Sequence, residues 1–189
     1  MTDTYRALVE KVDAFAAAVS DRRRADLACK PGCASCCQAW LTVSPVEAQQ
    51  LRAALAGLDP QARQAIAERG RLERAREARG EPPRCAMLDP EGRCGVYAAR
   101  PLVCRTQGLP LRYPPGVVPE AAVRGRIPRG EITYCPLNFT AAGPSGPDVL
   151  DAERVDQLLA LVNLRYAEEQ GIPPGTRTAL TDLAAATEP

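Results

Sequence analysis

The chain has 189 residues, enough to bury a core without cross-links; apolar residues make up 46% of it and aromatics only 4%. Alanine supplies many of the apolar positions, which favours closely packed helices over a β-sandwich. The 24 basic and 23 acidic residues leave a net charge of +1, and the longest basic run, Arg22-Arg23-Arg24, is read as a solvated helix end, which argues against a nucleic-acid partner.

In chain order, the first element is a helix from Thr4 to about Asp26. Tyr5, Leu8, Val9, Val12, Phe15, Ala16 and Val19 recur at steps of three and four, one apolar face. A cysteine loop follows, opened by Pro31-Gly32. Ser44, Pro45 and Glu47 then spell an N-cap, a first-position proline and a capping box, and Gly57 ends that helix. Asp59 and Pro60 repeat the entry signal for a third helix running to Gly80. Its later half carries only Leu72 as a large apolar residue and is expected to be exposed or to pack at one edge.

From Glu81 to about Pro147 prolines and glycines crowd in and helical periodicity fades. "CAMLDPEGRCGVY" predicts a short hairpin turning at Asp89-Pro90-Glu91-Gly92, between Cys85 and Cys94. "AARPLVCR" predicts one helical turn opened by Pro101. The stretch from Leu109 to Gly130 reads as a long irregular loop. A last strong helix begins near Asp148, with Val155, Leu158, Leu159, Val162 and Tyr166 as its stripe and Gly171 as its stop. An alanine- and threonine-rich tail holds one weak helix, Thr178 to Ala185. The expected organisation is a single mainly α domain over 1–189, a small helical frame around an irregular, metal-stabilised, cysteine-rich middle with a short β-hairpin. Its parts are an N-terminal helix in 1–28, a cysteine-cluster region in 29–140 with two inserted helices, a C-terminal helix in 148–171 and a tail in 172–189.

Eight cysteines stand against no histidine at all. The amino terminus lacks a basic-then-apolar leader and no segment approaches 18 uninterrupted apolar residues, which predicts a cytoplasmic protein without a membrane anchor. In a reducing compartment a disulfide framework is disfavoured, and the cysteines point to metal or redox chemistry. They are Cys29, Cys33, Cys36, Cys37, Cys85, Cys94, Cys104 and Cys135. A spacing such as Cys33-x2-Cys36 lets one turn aim two thiolates at one tetrahedral ion, about 2.3 Å from zinc, and iron–sulfur clusters use similar spacings. All-sulfur coordination selects zinc, iron–sulfur or cuprous copper over magnesium, calcium or manganese.

The adjacent Cys36-Cys37 pair sharpens this. Neighbouring side chains are expected to diverge and so to serve two metals, or different atoms of one cluster. The thiols suffice for two four-cysteine sites or one polynuclear cluster, and more than one metal atom is predicted. A divalent ion held by four thiolates carries a net charge of about −2. Arg84, Arg93, Arg100 and Arg105, all close in sequence to a cysteine, are candidates to neutralise it and to donate hydrogen bonds to sulfur, Arg100 and Arg105 above all. Trp40 is a candidate shield against water, with core packing as its plainer role. Asp89 and Glu91 are adequately explained by the turn.

The "GCASCC" loop, followed by "C-x-M-L-D-x-E-G-R-C-G-V-Y-x-x-R-P-L-V-C-R", resembles the YkgJ-type cysteine-cluster proteins, whose signature is C-x-x-C-x-x-C-C. The motifs occur together and in order between Cys29 and Cys135. One departure is the first gap, three residues between Cys29 and Cys33 instead of two, which loosens the tie of Cys29 to Cys33 on one metal. The resemblance implies a site for zinc or iron built from the eight cysteines. Larger relatives include enzymes that methylate flagellin lysines, an activity this short chain does not inherit on that basis alone.

Three functions follow. The first is a metal-binding protein whose metal is structural or regulatory, its middle segment having too little apolar periodicity to fold unaided. The second is an iron–sulfur redox or protein-modifying enzyme. Cys29, Cys33 and Cys36 match the C-x3-C-x2-C loop of radical chemistry, but the chain cannot build the barrel that normally carries it. The third is metal storage or delivery. No dinucleotide or phosphate-loop fingerprint is present, and a nucleophilic cysteine would lack its histidine. The partners expected are metal ions, with neither nucleic acid nor membrane.

Overall fold

The computed structural model describes residues 2–114, 117, 132–173 and 175–187. The described residues form six helices and five two-residue strands, the mainly α class expected. They divide into two compact units. The first comprises Met1–Thr2, Pro31–Pro101 and Asn163–Pro189, and the second Asp3–Lys30 and Leu102–Val162. Among the described residues, no helix is long and apolar enough to cross a membrane.

In the first unit, two helices start where the caps place them. They are α2 (Pro45–Ala56) and α3 (Pro60–Ala78). The Glu47 carboxylate accepts the Ser44 N–H at 3.1 Å and its hydroxyl at 2.8 Å, and Asp59 accepts the Ala62 N–H at 2.9 Å. Each satisfies a donor that a helix start leaves orphaned, and such a cap contributes about 1 kcal/mol. Leu72 is indeed 64% exposed. The same half of α3 nevertheless buries Gly70 and Glu73, because Gly70 admits another backbone. A β-carbon there would stand 2.4 Å from the Ala185 nitrogen.

That neighbour is α6 (Leu180–Ala185), the weak helix of the tail. It starts two residues later than expected, since Thr178–Ala179 form β5, antiparallel to β1 (Thr42–Val43). Leu180, Leu183 and Ala184 join Val43, Leu51, Leu55, Ile66, Met87 and Val96 in one core. The tail is therefore a core element.

The second unit begins with α1 (Asp3–Arg22) and a 3₁₀ turn over Arg24–Asp26. The apolar face is as predicted: Tyr5, Leu8, Val9, Val12 and Val19 are buried. Its arginine end is not simply solvated. Arg22 and Arg23 reach the Asp148 carboxylate at 3.2 and 3.4 Å, and Arg23 lies 5.3 Å over the Phe139 ring. Only Arg24, with an 85% exposed side chain, fits the solvated reading.

The turn predicted after Pro101 is α4 (Leu102–Thr106). Inside the stretch expected to be a loop lies β2 (Leu111–Arg112), antiparallel to β3 (Ile132–Thr133) and parallel to β4 (Leu150–Asp151). The rest of that stretch, beyond 109–114 and 117, lies outside the described residues. Strands of two residues carry no periodicity to read.

The last long helix, α5 (Ala152–Gln170), begins later than Asp148, which closes a 3₁₀ turn and is buried. Ser145 donates its N–H at 3.2 Å and its hydroxyl at 2.9 Å to Asp148, a capping role in place of a helical one. Val155 is buried, and Leu158, Leu159, Val162 and Tyr166 are half-buried. Gly171, at φ +63°, ends the helix.

Candidate metal centre

All eight cysteines stand as thiols. Cys33, Cys36, Cys37, Cys85 and Cys94 belong to the first unit, and Cys29, Cys104 and Cys135 to the second.

In the first unit two segments meet. Gly32, at φ +86°, turns the cysteine loop, and the Cys37 N–H closes a tight turn on the Ala34 carbonyl at 3.0 Å. The hairpin forms where it was predicted: the Asp89 N–H donates to the Arg93 carbonyl at 2.8 Å, and Leu88 bridges Cys94. Asp89 also accepts the Arg93 N–H at 2.7 Å and its guanidinium at 2.8 Å, so this carboxylate serves the turn. One backbone bond ties loop to hairpin, from the Cys85 N–H to the Cys37 carbonyl at 3.0 Å. At Gly92 the two backbones are so close that a β-carbon would stand 2.9 Å from the Gly32 oxygen. Behind them, Cys85 and Cys94 pack on the core that contains Ala86, Met87 and Val96.

The thiols of this group feel one another. Cys36 is pushed well above the ordinary thiol range, first by a hydrogen bond with Cys37, then by desolvation and by the Cys37 charge; Arg100 pulls it down. Adjacent side chains were expected to diverge, but the tight turn folds these two onto each other. Cys85 is pushed up to about 11, mainly by burial, with Cys94, Glu73 and Cys36 adding to the rise. Cys94 is raised by burial and eased by Arg100. Crowded thiols resist carrying charge together unless a cation joins them, and a bound metal supplies that charge.

Of the arginines singled out, Arg100 lies close enough for its charge to pull down Cys36 and Cys94. It also covers the Tyr97 ring at 3.5 Å. Arg93 is engaged by Asp89 and Glu91, and Arg84 donates to the Asp89 carbonyl at 3.3 Å. In the second unit Arg105 pairs with Asp13 of α1 at 2.6 Å. Trp40 is half-buried. Gln38, Arg76 and Arg84 line a cavity of about 420 Å³ beside the loop.

The second unit has a sulfur site that sequence reading missed in part. Asn138, 1% exposed, donates one amide N–H to the Cys29 sulfur at 3.4 Å and the other to the Gly108 carbonyl at 2.9 Å. Its oxygen accepts the Ala28 N–H at 2.9 Å. The turn that carries it closes from the Asn138 N–H to the Cys135 carbonyl at 2.9 Å. Phe139 follows at φ +56°, held there by a bond from its N–H to the Asp26 carbonyl at 2.7 Å. The available signal was an asparagine three residues after the cysteine of a Cys-Pro pair, a turn position.

Among the described residues, no three Cys, Asp or Glu side chains are already gathered around one point as an ion cage. The donor chemistry nevertheless fits zinc or iron: sulfur in excess, no histidine, and the carboxylate of the hairpin turn, Asp89, engaged by Arg93. Assembling a cage requires the thiols to turn toward a common point.

Residues 28–113 match the family CxxCxxCC, described as "Putative zinc- or iron-chelating domain". This is the cysteine-cluster family that the loop and hairpin resemble, and the match takes in every cysteine but Cys135. Comparison with curated proteins and with solved structures gave no match.

Proposed function

We propose that this is a metal-binding protein whose eight cysteines hold more than one atom of zinc or iron, with the metal serving a structural or regulatory end. The observation that carries the reading is the bond from the Cys85 N–H to the Cys37 carbonyl at 3.0 Å, which brings the cysteine loop onto the cysteine hairpin. Cys33, Cys36, Cys37, Cys85 and Cys94 are then more sulfur than one tetrahedral ion uses. The cysteines of the second unit add to that surplus. The metal would supply a positive centre that lets crowded thiolates coexist; the chain supplies the sulfurs and, through Arg100, part of the balancing charge. Reading the chain as one cytoplasmic domain belongs to the same proposal.

The test is elemental analysis of protein purified without oxygen, together with its absorption spectrum. Zinc or iron at more than one atom per chain is the expected result. A chain free of transition metal, with its thiols oxidised to disulfides, would sink the proposal. A visible band near about 400 nm that dithionite bleaches would assign the metal as an iron–sulfur cluster and favour the redox reading over zinc.

A further inference from the structure

We propose that the cavity beside the cysteine loop is a binding site for a small organic acid, a carboxylate with a short apolar body. The cavity, about 420 Å³, lies wholly within the first unit, and its size falls in the lower part of the range of small-molecule sites. Two kinds of lining meet there. Ala34, Pro82, Pro83 and Leu88 are apolar, and Leu88 is only 3% exposed. Gln38, Arg76 and Arg84 are polar. A few polar groups converging on an apolar lining is the pattern that orients a small ligand.

The charges decide what that ligand is. Arg76 is already engaged: it faces the Glu73 carboxylate at 3.6 Å and the Glu81 carboxylate at 3.3 Å, and its Nη2 donates to the Pro82 carbonyl at 3.0 Å. It braces the wall of the cavity. Arg84 differs. Its backbone N–H donates to the Glu73 carboxylate at 3.2 Å and its Nη2 to the Asp89 carbonyl at 3.3 Å, and these bonds hold the residue in place. The carboxylates of Asp89 and Glu91 are taken by Arg93, and among the described residues no carboxylate pairs with the Arg84 guanidinium. The rest of that guanidinium, and the Gln38 carboxamide, bond to no described residue. A cation without a counter-charge beside a neutral amide suits a carboxylate: the guanidinium answers the charge and the amide N–H takes an oxygen. The apolar lining then suits a hydrocarbon body better than a bare inorganic anion.

Gln38 follows Cys37 and Arg84 precedes Cys85, the two residues whose backbone bond ties loop to hairpin at 3.0 Å. A ligand held by both side chains spans that junction and must leave before it opens. Opening is therefore slowed by mass action, about tenfold at about ten times the dissociation constant. No thiol takes part, so the site stands whether or not the cysteines carry metal.

The test uses the full chain as purified, titrated with benzoate and followed by calorimetry and by backbone amide signals. Benzoate should bind saturably and shift the Gln38 and Arg84 signals. Benzamide, the same shape without the charge, should bind about tenfold more weakly, and inorganic phosphate, a charge without the body, should also bind more weakly than benzoate. Arg84→Gln should lower benzoate affinity about tenfold and Gln38→Ala by a smaller factor. Arg71→Gln, an exposed arginine of α3 outside the lining, should leave it unchanged. With benzoate at about ten times its dissociation constant, the Cys85 amide should exchange about tenfold more slowly while the Gly95 amide keeps its rate. The inference is overturned if benzoate does not saturate, if either lining variant, folded by circular dichroism, leaves its affinity intact, or if Cys85 exchange does not slow. Phosphate binding more tightly than benzoate would overturn it too, in favour of a bare-anion site.

Discussion

Asp148 is 1% exposed, yet it keeps its charge. Burial alone would raise its pKa, but the Ser145 N–H and hydroxyl, the Arg22 guanidinium and the Arg23 charge outweigh burial and hold the carboxyl below its usual range. A group whose folded pKa is depressed adds stability above its unfolded value, and that stability is lost as pH falls through the folded one. Asp148→Asn leaves two guanidiniums facing a neutral amide. Because Arg22 is 44% exposed, the cost is set below that of a fully buried pair, at about 2–3 kcal/mol near neutral pH. Urea unfolding should show that gap at pH 7, and the gap should begin to shrink only as pH falls below the ordinary carboxylate range and close once it passes below the lower folded pKa of Asp148. An equal loss above and below that pKa would mean that packing, not charge, is what the side chain contributes. Arg23 also covers the ring of Phe139, the residue after Asn138.

Between elements, the contact of α3 with α6 turns on one missing side chain. A β-carbon at Gly70 would come 2.4 Å from the Ala185 nitrogen and 2.8 Å from the Ala184 carbonyl carbon, both backbone atoms that cannot rotate aside. Gly70→Val should therefore destabilise the first unit by about 2–3 kcal/mol, despite the better helix propensity of valine, and thermal unfolding should report it. A neutral or stabilising result would show that α6 is not held where it packs. This contact also marks the limit of what could be read in advance. Ser44, Glu47, Asp59 and Pro60 announce α2 and α3 because capping is local chemistry, and Asp89 to Gly92 announce the hairpin for the same reason. Gly70 looks like a weak spot in a polar helix until its partner, 110 or more residues later in the chain, is in place. Likewise β2, β3 and β4 exist through pairing, and no two-residue segment advertises a partner.

For the whole molecule, the cysteines stood out as candidate ligands in composition and spacing, but their division between two units was not legible, because tertiary contacts decide it. The hairpin also has more support than its sequence suggests. Ala86, Met87, Leu88 and Val96 are all buried, so it does not depend on metal alone for folding. The cysteine loop differs: no residue from Pro31 to Leu41 is buried, and the loop is held to the rest of its unit by bonds such as Cys85 N–H to Cys37 carbonyl. Structural zinc can contribute about 10 kcal/mol at neutral pH, and a segment with so little apolar burial is where that contribution should be felt. Metal removal is thus expected to loosen the loop and spare the hairpin. In hydrogen exchange followed residue by residue, the Cys37 and Cys85 amides should exchange at least about tenfold faster after chelation. The Gly95 amide, bonded to the Met87 carbonyl at 2.8 Å within the hairpin, should keep its protection. Helical circular dichroism should change little, since α2, α3 and α6 share an apolar core. Equal loss at all three amides would mean that the hairpin core is too small to stand without metal; no change at any of them would mean that the loop is fixed by the chain itself and the metal only occupies it.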